Sequence, residues 1–458
     1  MDRNRYSRVV SRLLAIFAVA LTLAIPAWSE WTEKVLYSFQ GGTNDGSFPV
    51  GSVVFGSQGD LYGVLQYYGP PSCAPIGNEC GAIFQLTPPA HKDDPWTETL
   101  IYHFQGKKGN DGESPNGGLL IDGQGNLYGV TAYGGTGDCV LLGVKAGCGT
   151  VYKLSPPKQK GEAWKETILY SFPTAKQGYL PDGNLAFDSA GNLYGATVFG
   201  GGKGTTCDAF YQYCGAVFEL SPPKQKGGKW TENVLHSFEG GTDGANPNGG
   251  LVLDHAGSIF GTTAIGGNKI CQDAHGKPIG CGIVFQLRAP AKKDGAWTEK
   301  ILHRFTDGND GAGPSSGLIF DAKGALYGTT GGGGSGFNGT VFRLTKTSGY
   351  WAETILYSFS YENTDDGSEP GGGLTLDKSG GLYGPAGAGG TYNRGLVYRL
   401  KPAGQGKTWL LTVLYDFQPA PDAGGPGARL TPDGAGKLYS TTPGGGTSGN
   451  GTVFSIAP

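Results

Sequence analysis

Residues 96–154 hold four short runs that decide the fold. They read Trp-Thr-Glu-Thr-Leu-Ile-Tyr-His-Phe (96–104), Gly-Leu-Leu-Ile-Asp (118–122), Asn-Leu-Tyr-Gly-Val-Thr (126–131) and Gly-Thr-Val-Tyr-Lys-Leu (149–154). All are rich in β-branched and aromatic residues and bounded by Gly, Pro, Asp or Asn, the signature of β-strands. The first run recurs from Trp31, Trp96, Trp164, Trp230, Trp297, Trp351 and Trp409, at steps of 65, 68, 66, 67, 54 and 58 residues. Glu follows two residues after six of these tryptophans, and Leu411 after the seventh. Seven repeats of four strands predict an all-β, seven-bladed β-propeller. A β-helix or solenoid is the alternative, but its coils are much shorter than the roughly 61 residues of each repeat.

The phase of the repeat predicts how the ring closes. Asp-x-x-Gly between the second and third runs (Asp122 to Gly125) reads as a tight hairpin, so those two strands are neighbours. With the Gly118-type run innermost and the Trp-type run outermost, the chain begins on an outer strand (31–39) and ends on a third strand (451–456). The N-terminal strand therefore closes the last blade and removes the exposed edges of an open array.

Composition agrees once the repeats are seen. Gly (85) and Pro (28) make up about a quarter of the 458 residues, a share that without periodicity signals disorder. Aromatics at 11%, charged residues at 16% and a net charge of −3 are instead those of a folded chain. Most glycines fall at strand starts and turns. Long helices are excluded, because Gly and Pro are the poorest helix formers.

Residues 1–29 read as a secretory signal: Arg3, Arg5, Arg8 and Arg12, an apolar run from Leu13 to Ile25, then Ala27-Trp28-Ser29 before Glu30. The apolar run is shorter than the ~20 residues of a membrane span, although an uncleaved anchor helix is the competing reading. Residues 30–458 are then one propeller domain, secreted, periplasmic or cell-surface, with no further membrane span. Its net charge of −6, with scattered lysines, argues against nucleic-acid binding, which wants a basic face. All eight cysteines form local pairs: Cys73/Cys80, Cys139/Cys148, Cys207/Cys214 and Cys271/Cys281, the second member always followed by Gly. In an exported chain these read as disulfides, each contributing about 2–3 kcal/mol if unstrained. A metal site would need tighter Cys spacing and paired His ligands.

Leu-Tyr-Gly (61–63, 127–129, 193–195, 326–328 and 382–384), followed by Gly-Gly and Gly-Thr-Val-Phe, resembles the GloVer tandem repeat of bacterial exported "choice-of-anchor" proteins. The fourth and seventh copies depart slightly, with Ile259-Phe260-Gly261 and Leu438-Tyr439-Ser440. The resemblance spans residues 31–458 and implies an exported, surface-associated protein. It implies no activity. Family members often carry a C-terminal sorting tail, which the sequence up to Pro458 lacks, so the expectation is a chain without that anchor.

Two loop types should share one face. One carries Asp-Gly pairs at Asp45, Asp111, Asp243, Asp310 and Asp366. These carboxylates suit Ca²⁺ or a polyol, or else simple turn chemistry in which Asp accepts backbone N–H groups. The third and seventh repeats break the series with Gly178-Tyr179 and Asp422-Ala423, so a symmetric ion ring is incomplete. The Asp122, Asp188, Asp254, Asp321 and Asp377 series reads as turn chemistry. The other loop type is long and cysteine-paired in repeats one to four, where Tyr68, Tyr133, Phe199 and Tyr211 offer rings for stacking, and short in repeats five to seven. Packing of those rings on their own loops is the bland alternative. His236 and His303 replace a tyrosine-type position of the outer strand, and His103 a serine-type one. No Gly-x-Ser-x-Gly elbow, Walker loop or His-Glu-x-x-His is present.

The expectation is a monomeric, non-enzymatic module binding glycan or envelope protein, with no cofactor unless Ca²⁺. A polysaccharide hydrolase, lyase or lactonase with carboxylates at the channel mouth is the first alternative. A structural surface or matrix protein is the second.

Overall fold

The computed structural model describes residues 31–458 except 70–72, 74–78, 92–93, 142, 160, 202–213, 293–294, 315, 361–363 and 405–407. The signal-like segment, Cys207 and Tyr211 lie outside the described residues.

Alternating apolar residues draw the chain into short strands, and Gly or Asp turns reverse it after nearly every one. The result is seven four-stranded antiparallel sheets. In the second, the strands Gly112–Ile121, Leu127–Gly134, Thr150–Ser155 and Lys165–Ser171 run from inside to outside. The seventh joins Thr431–Pro432, Leu438–Thr442 and Thr452–Ala457 to the N-terminal strand Thr32–Ser38. Thr32 pairs with Ala457 and Ser38 with Thr452, so the ring closes through the expected strand. Blades are numbered here by their innermost strands, from Ser47–Phe55 in blade 1.

The hydrophobic core lies between the blades. Seven clusters each join one blade to the next, and the last ties Tyr439 and Val453 of blade 7 to Val53 and Leu61 of blade 1. The Leu-Tyr-Gly signature has a packing cause. Gly63 lies directly across from Phe84, and a Cβ there would fall 2.3 Å from that ring. The third-strand aromatic thus fills the space that glycine leaves, and Phe84 is fully buried.

The hairpin aspartates behave as turn residues. Asp122 Oδ1 accepts the N–H groups of Gln124 and Asn126, both at 2.9 Å, while Oδ2 accepts the Tyr128 hydroxyl at 3.0 Å. Asp188, Asp321 and Asp377 repeat the pattern. Among the described residues no helix is long and apolar enough to cross a membrane.

Candidate functional site

Antiparallel order sends the loops between second and third strands to the same face as the connections from each outer strand to the next blade. Here the blades interlock. The N–H of Ser114 donates to the carbonyl of Cys80 at 2.9 Å, Asn246 to Cys214 at 2.8 Å and Gly313 to Cys281 at 2.9 Å. The proline that follows each donor presses on the glycine after the acceptor. A Cβ on Gly81 would fall 2.3 Å from Pro115, and on Gly149, Gly215 or Gly282 2.5–2.6 Å from Pro181, Pro247 or Pro314. These glycines have φ of 89–96°, so both conformation and space require Gly after the second cysteine. Disulfides Cys73–Cys80, Cys139–Cys148 and Cys271–Cys281 are formed, each second cysteine sitting beside one of these contacts. Cys214 is fully buried.

The innermost strands enclose a central cavity of about 660 Å³. Its walls approach so closely that a Cβ on Gly51 would lie 2.3 Å from Gly117, and one on Gly117 2.5 Å from Gly183. The polar lining includes Asn116, Asn248, Ser316, Asp182 and Arg429. Burial pushes the Asp182 carboxyl up and the Arg429 guanidinium down. Among the described residues Asp182 is the one carboxylate lining the cavity, so the carboxylate pair of a two-acid hydrolase is not assembled on its walls.

Asp45, Asp111, Asp243, Asp310 and Asp366 do not line this cavity; their side chains turn toward the outer strands. The Tyr37 hydroxyl donates to Asp45 at 2.8 Å and Tyr102 to Asp111 at 2.8 Å, while Gln105 N–H also donates to Asp111. The Glu of the next blade's Trp-x-Glu comes up against each pair. Burial, with the nearby Asp45, pushes Glu98 up to about 7; burial, with Asp111, pushes Glu166 up to about 8. At the last junction Tyr415, Asp422 and Glu33 repeat the set, with Glu33 at about 8 from burial and Asp422. Where the third repeat lacks Asp, the Tyr170 hydroxyl reaches Glu232 directly at 3.4 Å. His236 and His303 take the tyrosine position beside Asp243 and Glu299, and beside Asp310 and Glu353.

The ring-bearing loops divide. Tyr68 is half-buried and faces His103 at 5.9 Å, and Tyr133 and Phe199 each lie against Tyr179, at 6.3 and 6.2 Å. Among the described residues the openly exposed rings of this face sit elsewhere: Phe337 (74% exposed) and Tyr392 (50%) on the short loops of blades 5 and 6, and Phe48 (39%) at the cavity mouth. Phe337 has φ 65°, a region that a bulky side chain rarely enters. The equivalent loop positions of blades 6 and 7 are Asn393 (φ 52°) and Gly449 (φ 74°), residues suited to it. The turn does not require Phe.

The model of the Gloeobacter/Verrucomicrobia repeat matches residues 24–203, 139–349 and 271–458, nearly the whole chain. The chain belongs to this repeat family. Among solved structures this Gloeobacter/Verrucomicrobia repeat protein is similar to Pseudomonas fluorescens PhoX in complex with vanadate, at 10% identity and TM-score 0.46 over 93% of this chain and 95% of that one. It is also similar to a putative 6-phosphogluconolactonase from Bacteroides uniformis, at 14% identity and TM-score 0.42 over 88% and 94%. A protein of unknown function from Dyadobacter fermentans matches at 12% identity and TM-score 0.41 over 84% and 98%. No curated protein matches.

Sequence reading missed the junction sets and Phe337. The first had a usable signal: the repeat phrase places Tyr or His six residues after every Trp and Glu two after most. The second had a fainter one, since the short loops align as Gly-Phe-Asn-Gly (336–339), Tyr-Asn-Arg-Gly (392–395) and Ser-Gly-Asn-Gly (448–451), with Phe337 the misfit.

Proposed function

We propose that this propeller is an exported binding module that holds a glycan of the cell envelope or its surroundings on the face around the cavity mouth, with Phe337, Tyr392 and Phe48 as stacking platforms. The observation that carries the reading is Phe337, a phenyl ring kept in solvent at a positive φ where sister loops use Asn and Gly. Strain retained without a packing return points to function. Flat rings on short, hydrogen-bonded loops present large contact area at low entropy cost, which suits sugar faces. Phe337 N–H donates to Gly334 O at 3.1 Å, fixing the turn beneath the ring. The disulfides suit an oxidising compartment, in line with export through the N-terminal segment.

The test is an array of bacterial-surface and plant-wall oligosaccharides probed with the wild type and with Phe337→Asn. Binding by the wild type that is lost in the variant, at unchanged Tm, supports the reading. Binding that is equal in both overturns the assignment of this face.

A further inference from the structure

Five of the seven blade junctions carry a tyrosine at the same outer-strand position, six residues after Trp, and two carry a histidine there. At four junctions between blades a tyrosine hydroxyl donates to the loop Asp (Asp45, Asp111, Asp366 and Asp422), at three of them at an ordinary 2.8–2.9 Å. At the junctions of blades 3 with 4 and 4 with 5 the tyrosine is replaced by His236 and His303. Their Nε2 atoms stand 3.5 Å and 3.3 Å from Asp243 Oδ2 and Asp310 Oδ2, and 3.9 Å and 3.4 Å from Glu299 Oε1 and Glu353 Oε1.

These spacings are long for hydrogen bonds. Nε2 of both histidines and Oε1 of both glutamates are buried with no hydrogen-bond partner. The orphaned Glu oxygen also occurs at tyrosine junctions, on Glu33, Glu98 and Glu166, but only the histidine junctions add an orphaned nitrogen facing it. Three donor atoms, one nitrogen and two oxygens, thus converge within 4.8 Å of one another at each of the two places. Ligands bound tetrahedrally at the 2.0–2.1 Å usual for Zn²⁺ lie about 3.3–3.4 Å apart, close to both His303 separations and to His236–Asp243, while His236–Glu299 at 3.9 Å would have to close by about half an ångström. Backbone groups hold the aspartates in place: Glu239 N–H donates to Asp243 Oδ2 at 2.9 Å, and Thr306 N–H to Asp310 Oδ2 at 3.0 Å.

We propose that His236, Asp243 and Glu299 form one binding site for a divalent first-row transition ion such as Zn²⁺, and that His303, Asp310 and Glu353 form a second. The donor set of one imidazole and two carboxylates suits such an ion and leaves a position open to water. The two sites share blade 4, whose outer strand Thr298–Arg304 supplies Glu299 to one and His303 to the other. Occupied, they would clamp blades 3, 4 and 5 together at their outer edge. This site is independent of the proposed glycan face.

The substitutions that test it are already present elsewhere in the ring: His236→Tyr and His303→Tyr convert each junction to the tyrosine type. Chelator-treated protein is titrated with Zn²⁺ by calorimetry, and retained metal is counted after gel filtration. The wild type should bind two ions per chain, each single variant one, and the double variant none. Zn²⁺ should raise the Tm of the wild type and leave that of the double variant unchanged. Glu299→Gln and Glu353→Gln give a second route, each expected to remove one ion without touching a histidine. A wild type that binds no more Zn²⁺ than the double variant overturns the proposal, as does a stoichiometry that the substitutions leave at two.

Discussion

The loops of blades 1 to 4 and those of blades 5 to 7 occupy the same face but treat their aromatic rings in opposite ways. On the long loops Tyr68, Tyr133 and Phe199 fold into half-buried positions, and the described disulfides sit next to the Gly–Pro contacts that lock one blade to the next. On the short loops Phe337 and Tyr392 stand in solvent. Cross-links and aromatic packing there lie together, next to the contacts between blades. The short loops carry no cross-link; tight glycine turns fix them, and their rings stay exposed. In the function proposed above the binding rings lie on the plainer loops, where they are exposed, rather than on the stapled loops to which the sequence reading assigned them.

The largest effect that could break this comparison is loss of closure, on which both regions depend. Deleting residues 31–39 removes the outer strand of blade 7 and exposes its third strand as an edge. Thermal unfolding should shift down by far more than any single substitution produces; an unchanged Tm would mean that the ring does not close this way.

Reduction of the disulfides sharpens the comparison. Loops closed over 7 to 10 residues contribute about 2–3 kcal/mol each, so the reduced protein should lose Tm substantially while its surviving folded fraction still binds glycan through blades 5 and 6. Binding that disappears on reduction at a temperature where the fold persists would return the function to the stapled loops.

A smaller effect concerns pH. Glu98 and Glu166 titrate near 7 and 8 in the fold against 4.5 in the unfolded chain. The folded state therefore holds protons that the unfolded state has released, and stability falls as pH rises from about 4.5 to 8. Both groups are partly exposed, so the slope should be shallow. Tm measured at pH 5 and pH 8 should be higher at pH 5, and Glu98→Gln with Glu166→Gln should narrow the gap by raising Tm at pH 8. A gap that these substitutions leave unchanged would place the effect elsewhere.

Strand phase, closure, the three described cysteine pairs and the hairpin aspartates were legible because each is written within a few dozen neighbouring residues and repeated around the ring. The junction sets were not, because Tyr37, Asp45 and Glu98 come from three segments of two repeats and meet only when blades pack. The Asp-Gly aspartates could be placed on the right loops, but not aimed: their partners on the outer strands draw them away from the cavity mouth. Exposure of Phe337 escaped for a different reason, since a positive φ at a phenylalanine contradicts its own local preference.

The smallest expected change in stability carries the most direct test. Phe337→Asn installs the residue that blade 6 uses at the same turn, so Tm should stay level or rise slightly as strain is relieved. The decisive measurement is the affinity of this variant for whichever oligosaccharide the wild type retains on the array. The account predicts a loss of at least tenfold in Kd with the fold intact; an unchanged Kd would contradict it.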